Sequence, residues 1–195
     1  MSTRIDIKAV AATPISTAKL MKTGQVISYR TGDDGDIEAG RATSFTVLAE
    51  NNPFGNTNRF TDELGGTTYT NNIVIDWSTY DGSTVLGYYR TPTSAPNWNG
   101  AIDAALALSV GTFTSGWRIP NKLEMENICN YGTSFILNYS PFNISFTLWI
   151  STTYLASTTL AYTMAQSWVN LNAKTTSGIS WIACRNFTVT GTTLT

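Results

Sequence analysis

The chain has no histidine. That removes the commonest general base and the commonest metal ligand, and with them every Ser/His/Asp or Cys/His arrangement. Charge is also sparse. Asp, Glu, Lys and Arg make up 13% of 195 residues, and twelve basic side chains against thirteen acidic ones leave a net charge of −1. No basic cluster stands out, so a nucleic-acid partner, whose phosphates need neutralising, is not expected. No apolar run approaches the roughly 20 residues that span a bilayer, so no membrane span is expected. What is abundant is apolar or uncharged polar. Hydrophobic residues reach 42%, enough for a buried core in a length that fits one domain.

The most informative stretch is Gly116-Trp117-Arg118-Ile119-Pro120-Asn121-Lys122-Leu123-Glu124-Met125-Glu126-Asn127-Ile128-Cys129. Pro120 ends a strand ladder and biases Ile119 toward extended backbone. Asn121 is placed to cap a helix, with Glu124 three residues on as its capping-box partner. Met125, Ile128 and Cys129 then form one apolar stripe. Gly132 is expected to end the helix at positive φ. Trp117 is expected in the core, and Arg118 as an internal brace at the strand–helix junction.

Trp117-Arg118-Ile119-Pro120 followed by the Glu124 helix resembles the Trp-Arg-Leu-Pro signature of the Lcl C-terminal domain family. That bacterial and phage family has a C-type-lectin-like fold, related in architecture to the formylglycine-generating-enzyme domain. Lys22-Thr23-Gly24-Gln25 and Thr31-Gly32-Asp33-Asp34-Gly35-Asp36 resemble its opening segment, and Arg59-Phe60-Thr61-Asp62 with Gly65-Gly66-Thr67 its next turn. Leu148-Trp149-Ile150-Ser151-Thr152-Thr153 resembles its Trp-Ser-Ser-Thr element. Ser167-Trp168-Val169-Asn170, Lys174 and Trp181-Ile182-Ala183-Cys184-Arg185 resemble its closing strands. The resemblance covers about residues 21–187. It implies an α+β, C-type-lectin-like fold: two helices packed on small mixed or antiparallel sheets, with long loops carried on one side. It also implies strand positions, hence core, for Trp149, Trp168 and Trp181, and a structural role for Arg185 beside Trp117, Arg118, Pro120 and Glu124.

Residues 21–195 are read as that domain. Residues 1–20 alternate weakly at Ile5, Ile7 and Ala9 and include Pro14. They are either an edge strand of the same domain or an arm that attaches it to other proteins. Gly24–Tyr29 is a strand candidate. Thr31–Gly40 is a turn, and an EF-hand counted from Asp33 would need a Glu where Ser44 stands, so a solvated turn is expected ahead of a calcium loop. Thr67–Ile75 is β-prone and ends in a buried strand, Val85–Tyr89 is another, and Pro92 with Pro96 makes a stiff connection. Trp98–Val110 reads as a helix with Ile102, Ala105, Leu106 and Ser109 on one face and Gly111 at its end.

From Asn127 to Thr195 the chain holds only two charged residues, Lys174 and Arg185. Two readings stand side by side: a low-charge β core with polar turns, or a recognition surface of Tyr, Trp, Ser and Asn of the kind paratopes use. In the second, the candidate contacts are Tyr139, Asn143, Tyr154, Tyr162, Asn170 and Asn172. Cys129 and Cys184 could close a loop of about 55 residues, worth about 4 kcal/mol in the chain-entropy model. The family resemblance implies a helix–strand pairing, but Cys129 follows the Trp-Arg-Ile-Pro motif, and two buried free thiols are the expected state. Formylglycine-type chemistry needs a cysteine pair that Cys184 lacks. Paired-carboxylate hydrolysis would have to draw on Asp76, Asp81, Asp103, Glu124 or Glu126, and no activity, cofactor or metal site is expected.

Residues 1–12 contain no apolar core of the length a secretory signal needs. Together with the resemblance, this leads to a virion-surface recognition module (tail fibre or capsid decoration) that binds a host-surface glycan or protein. It is expected to be homo-oligomeric and to meet other virion proteins through its N-terminal segment. The alternatives are a virion protein whose lectin-like domain only mediates assembly, and a bacterial surface adhesin.

Overall fold

A computed structural model of the chain describes residues 21–38, 40, 44–133, 137–165 and 168–195; the suggested arm, residues 1–20, lies outside them. The elements run α1 (Asp34–Ile37), β1 (Phe60–Thr61), β2 (Ile73–Asp76), a 3₁₀ turn (Trp77–Thr79), β3 (Thr84–Ser94), α2 (Trp98–Leu106) and α3 (Lys122–Asn127). They continue with β4 (Leu148–Thr153), β5 (Leu160–Met164), β6 (Val169–Ala173), β7 (Ser180–Thr190) and β8 (Thr193–Leu194). The strands form one eight-stranded sheet in the order β1-β2-β3-β7-β4-β5-β6, with β8 on β7. Short helices on a large mixed sheet make this an α+β fold. No helix among the described residues is long and apolar enough to cross a membrane.

Strand alternation sorts the core into two layers. Ile75 of β2, Trp149 of β4 and Trp181, Ala183 and Phe187 of β7 face one side, where Ala101 and Ala105 of α2 cover them. Val74, Tyr88, Ile150, Ile182 and Cys184 face the other, under Met125 and Ile128 of the α3 segment. β3 and β7 form the long antiparallel spine from Thr84↔Thr188 to Ser94↔Ser180. β4 joins β7 in parallel only at Leu148↔Ser180 and then departs. The Trp117–Pro120 segment lies in the split that follows: Arg118 exchanges backbone hydrogen bonds of 2.9 and 2.7 Å with Cys184, and the Pro120 carbonyl accepts the Ser151 N–H at 2.9 Å. Trp117 and Ile119 thus point into the α2 layer.

Several expected elements are shaped differently. α3 starts on the Asn121–Glu124 capping box but ends at Asn127. Gly132 does not cap it; an added Cβ there would lie 2.0 Å from the Gly24 carbonyl oxygen, so this glycine permits a close chain crossing. α2 stops at Leu106, and its buried face is Ala101 and Ala105, while Leu106 is 61% exposed. Two alanines let this helix sit close on the tryptophan-rich sheet face. Gly24–Tyr29 forms no strand. Its backbone is organised by Asp33, which accepts the Tyr29 and Arg30 N–H groups and caps α1 through the Asp36 N–H. β3 runs through Pro92 as far as Ser94, with a register shift between Tyr89 and Thr93 at which a missing N–H is tolerated.

Candidate functional site

Within the neutral C-terminal third, β4, β5 and β6 form a meander at one end of the sheet. β5 and β6 pair without interruption from Leu160↔Ala173 to Met164↔Val169, so opposite residues share a face. Asn170 lies across from Thr163 and Asn172 across from Ala161, on the Trp149 side. There, with the turn leading into β7, they line a groove of about 430 Å³ together with Phe146, Thr176, Ser177 and Ser180. No lining side chain is charged. The Asn172 amide donates to the buried Thr163 Oγ1 at 2.8 Å, which orients it and leaves its carbonyl oxygen for an incoming donor. Phe146, 58% exposed, supplies an aromatic rim.

The remaining candidate contacts fall elsewhere. Tyr154 and Tyr162 form an edge-to-face pair, centroids 6.1 Å apart, and the Lys122 ammonium sits 5.4 Å from the Tyr162 ring. Tyr162 packs toward the α3 layer, the sheet face opposite Asn170 and Asn172. Asn143 is exposed at φ 52° in a turn away from the groove lining. Tyr139 is not a surface contact. Its ring is buried among Phe45, Phe60 and Phe142, and its hydroxyl donates to the Ile128 carbonyl at 2.7 Å. Trp168 is not core. It precedes edge strand β6 and is 63% exposed, because a ring at the hairpin end has no layer above it. Trp149 and Trp181 are buried, as are Trp117 and Pro120.

The buried ionic groups are braces. Arg118 holds Glu124 through two hydrogen bonds of 2.7 and 2.6 Å, while Glu124 also accepts the Asn121 N–H. Burial opposes ionisation of Glu124, but these bonds outweigh it and hold its carboxyl below the usual range. Arg185 lies over the rings of Phe187, Phe113 and Trp117 at 4.7, 5.1 and 5.9 Å. Deeper still, Arg59 pairs with Asp76 through two bonds of 2.9 Å, both side chains fully buried. The Arg59 guanidinium lies over the Phe45 and Phe60 rings, at 4.5 and 4.6 Å, and donates to the Asn127 carbonyl. Asp76 also accepts the Asn127 amide and the Ser78 N–H. Two of the five carboxylates considered for hydrolysis are therefore already tied to arginines. Asp81 is a third tied group, held below the usual carboxylate range by the Thr84 and Ser83 amides and hydroxyls of its own turn.

Cys129 and Cys184 are free and buried. Burial, then the Glu126 charge, pushes the Cys129 thiol up to about 12. Burial and Glu124 push Cys184 higher, so neither is a ready thiolate nucleophile. Among the described residues no group of three metal-ligating His, Cys, Asp or Glu side chains converges. Phe146, Thr176 and Ser180 of the groove were missed in the sequence because hydroxyls and a lone ring carry no periodic signal. No family model, curated protein or solved structure matches the chain.

Proposed function

We propose that the chain is a C-type-lectin-like, non-enzymatic recognition module carried on a virion surface, and that it binds a neutral glycan of a host envelope or mucosal layer in the β4–β6 groove. The observation that carries this reading is the uncharged groove itself. The oriented amide of Asn172, the exposed amide of Asn170, hydroxyls of Thr176 and Ser180 and the Phe146 rim are the group types that hydrogen-bond sugar hydroxyls and pack on a sugar face. The α+β sheet and the Trp117–Glu124 junction are compatible with the Lcl-type family, and in C-type-lectin-like folds the binding loops fall in this part of the chain. Without a convergent acidic cluster at the groove, binding should not depend on calcium.

Purified protein is tested against immobilised mucins and a panel of bacterial cells, with and without chelator, beside an Asn170→Ala/Asn172→Ala variant. Saturable, chelator-insensitive binding that falls at least tenfold in the variant supports recognition. Binding unchanged in the variant, or absent for every surface, removes it and favours a domain that only mediates assembly.

A further inference from the structure

β6 is an edge strand of the sheet. An Ala165 N–H to Trp168 carbonyl bond (2.8 Å) and a Lys174 N–H to Thr159 carbonyl bond (2.9 Å) set the phase of the β5–β6 ladder. By the antiparallel alternation, Trp168, Asn170, Asn172 and Lys174 turn their main-chain groups toward β5. Val169, Leu171 and Ala173 therefore turn theirs outward. The Ala173 carbonyl is met by the Thr176 N–H, and the outward groups of Val169 and Leu171 have no partner among the described residues.

Strand edges of monomeric proteins are usually blunted by charge, proline or a bulge. β6 has none of these: it reads Val-Asn-Leu-Asn-Ala and pairs regularly. Its composition is also self-complementary. Val169, Leu171 and Ala173 make one apolar stripe, Leu171 being 40% exposed, and Asn170 with Asn172 makes an amide stripe on the opposite face. A two-fold axis through Leu171 matches like with like on both faces.

We infer that β6 pairs antiparallel with β6 of a second copy of this chain, Leu171 opposite the partner's Leu171. Leu171 then exchanges both main-chain bonds with its counterpart, and each Ala173 N–H donates to the partner's Val169 carbonyl. Val169 packs against the partner's Ala173, and Asn170 lies beside the partner's Asn172. The interface is isologous and joins two sheets into one. A strand this short buries less than a permanent dimer needs, so association is weak and concentration-dependent. Resting on the recognition reading, one consequence follows: the partner's amides extend each groove across the axis, giving a bivalent surface for repeating glycans.

The test needs no glycan, so its failure is separable from failure of the recognition reading. Sedimentation and light scattering are measured for the wild type, Leu171→Lys, Leu171→Glu and an equimolar mixture of the two. Because position 171 faces itself, each variant places like charges together and is expected to be monomeric where the wild type dimerises. The mixture places opposite charges together and is expected to recover dimers. Leu171→Pro, which removes only an outward N–H, is expected to keep the monomer's melting curve and lose the dimer. A wild type that stays monomeric to about 1 mM overturns the inference. So do variants that leave dimerisation intact, or monomeric variants whose mixture fails to pair.

Discussion

At the residue scale, the two arginine–carboxylate pairs divide the work of holding the α3 layer. Arg59 and Asp76 have no solvent exposure, and every remaining polar atom in their network meets a carbonyl, amide or N–H. Removing one partner strands the other, so Asp76→Ala should cost about 3–5 kcal/mol in denaturant unfolding. The Arg118–Glu124 pair is half open and linked to the helix cap. Glu124→Gln should cost about 1–3 kcal/mol near neutral pH. Glu124 has its folded pKa depressed from 4.5, so its contribution is present above that unfolded value and is lost as pH falls through the lower folded one. The stability gap between wild type and Glu124→Gln should therefore be constant from about pH 7 to 5.5 and shrink below about pH 4.5, which urea melts across that range would check. Neither pair was read from the sequence, although the cap that holds Glu124 in place was legible there. Asn121 and Glu124 stand at a fixed capping distance, whereas Arg59 and Asp76 are brought together by the pairing of β1 with β2.

At the element scale, short-range chemistry was readable and long-range pairing was not. The capping box set the start of α3, and the run Ile73–Ile75 marked a buried strand. The bounds of α2 were overestimated because Ser109 continues the helical spacing of Ile102, Ala105 and Leu106, whereas the chain leaves the helix after Leu106 and turns, with Val110 bonded to Phe113. The assignment of Trp168 to the core failed for a related reason: strand residues next to a sheet edge look the same in sequence as those at its centre. Packing on the β3–β7 spine is tight where no side chain announces it. A Cβ on Gly87 would lie 2.5 Å from the Phe187 ring and 2.8 Å from Ile75 Cδ1. Gly87→Ala should then destabilise by about 1–3 kcal/mol, read from the denaturation midpoint at unchanged m-value.

At the scale of the whole molecule, charge and neutrality are separated along the chain. Arg59, Asp76, Arg118 and Glu124 are committed to internal bracing, and the C-terminal meander is left with amides, hydroxyls and rings at its groove. That neutrality was visible in the sequence as the near absence of charge after Asn127. Which residues share a face was not, because it depends on the β5–β6 register: Tyr162 and Asn172, both candidate contacts, lie on opposite sides of the sheet. Recognition by the groove is tested most directly by a ¹⁵N NMR titration with neutral oligosaccharides released from mucin. The expected result is dose-dependent shifts concentrated on the Asn170 and Asn172 side-chain amides and the Thr176–Ser180 backbone. No shift at millimolar sugar, or shifts confined to the Tyr154–Tyr162 face, would contradict it.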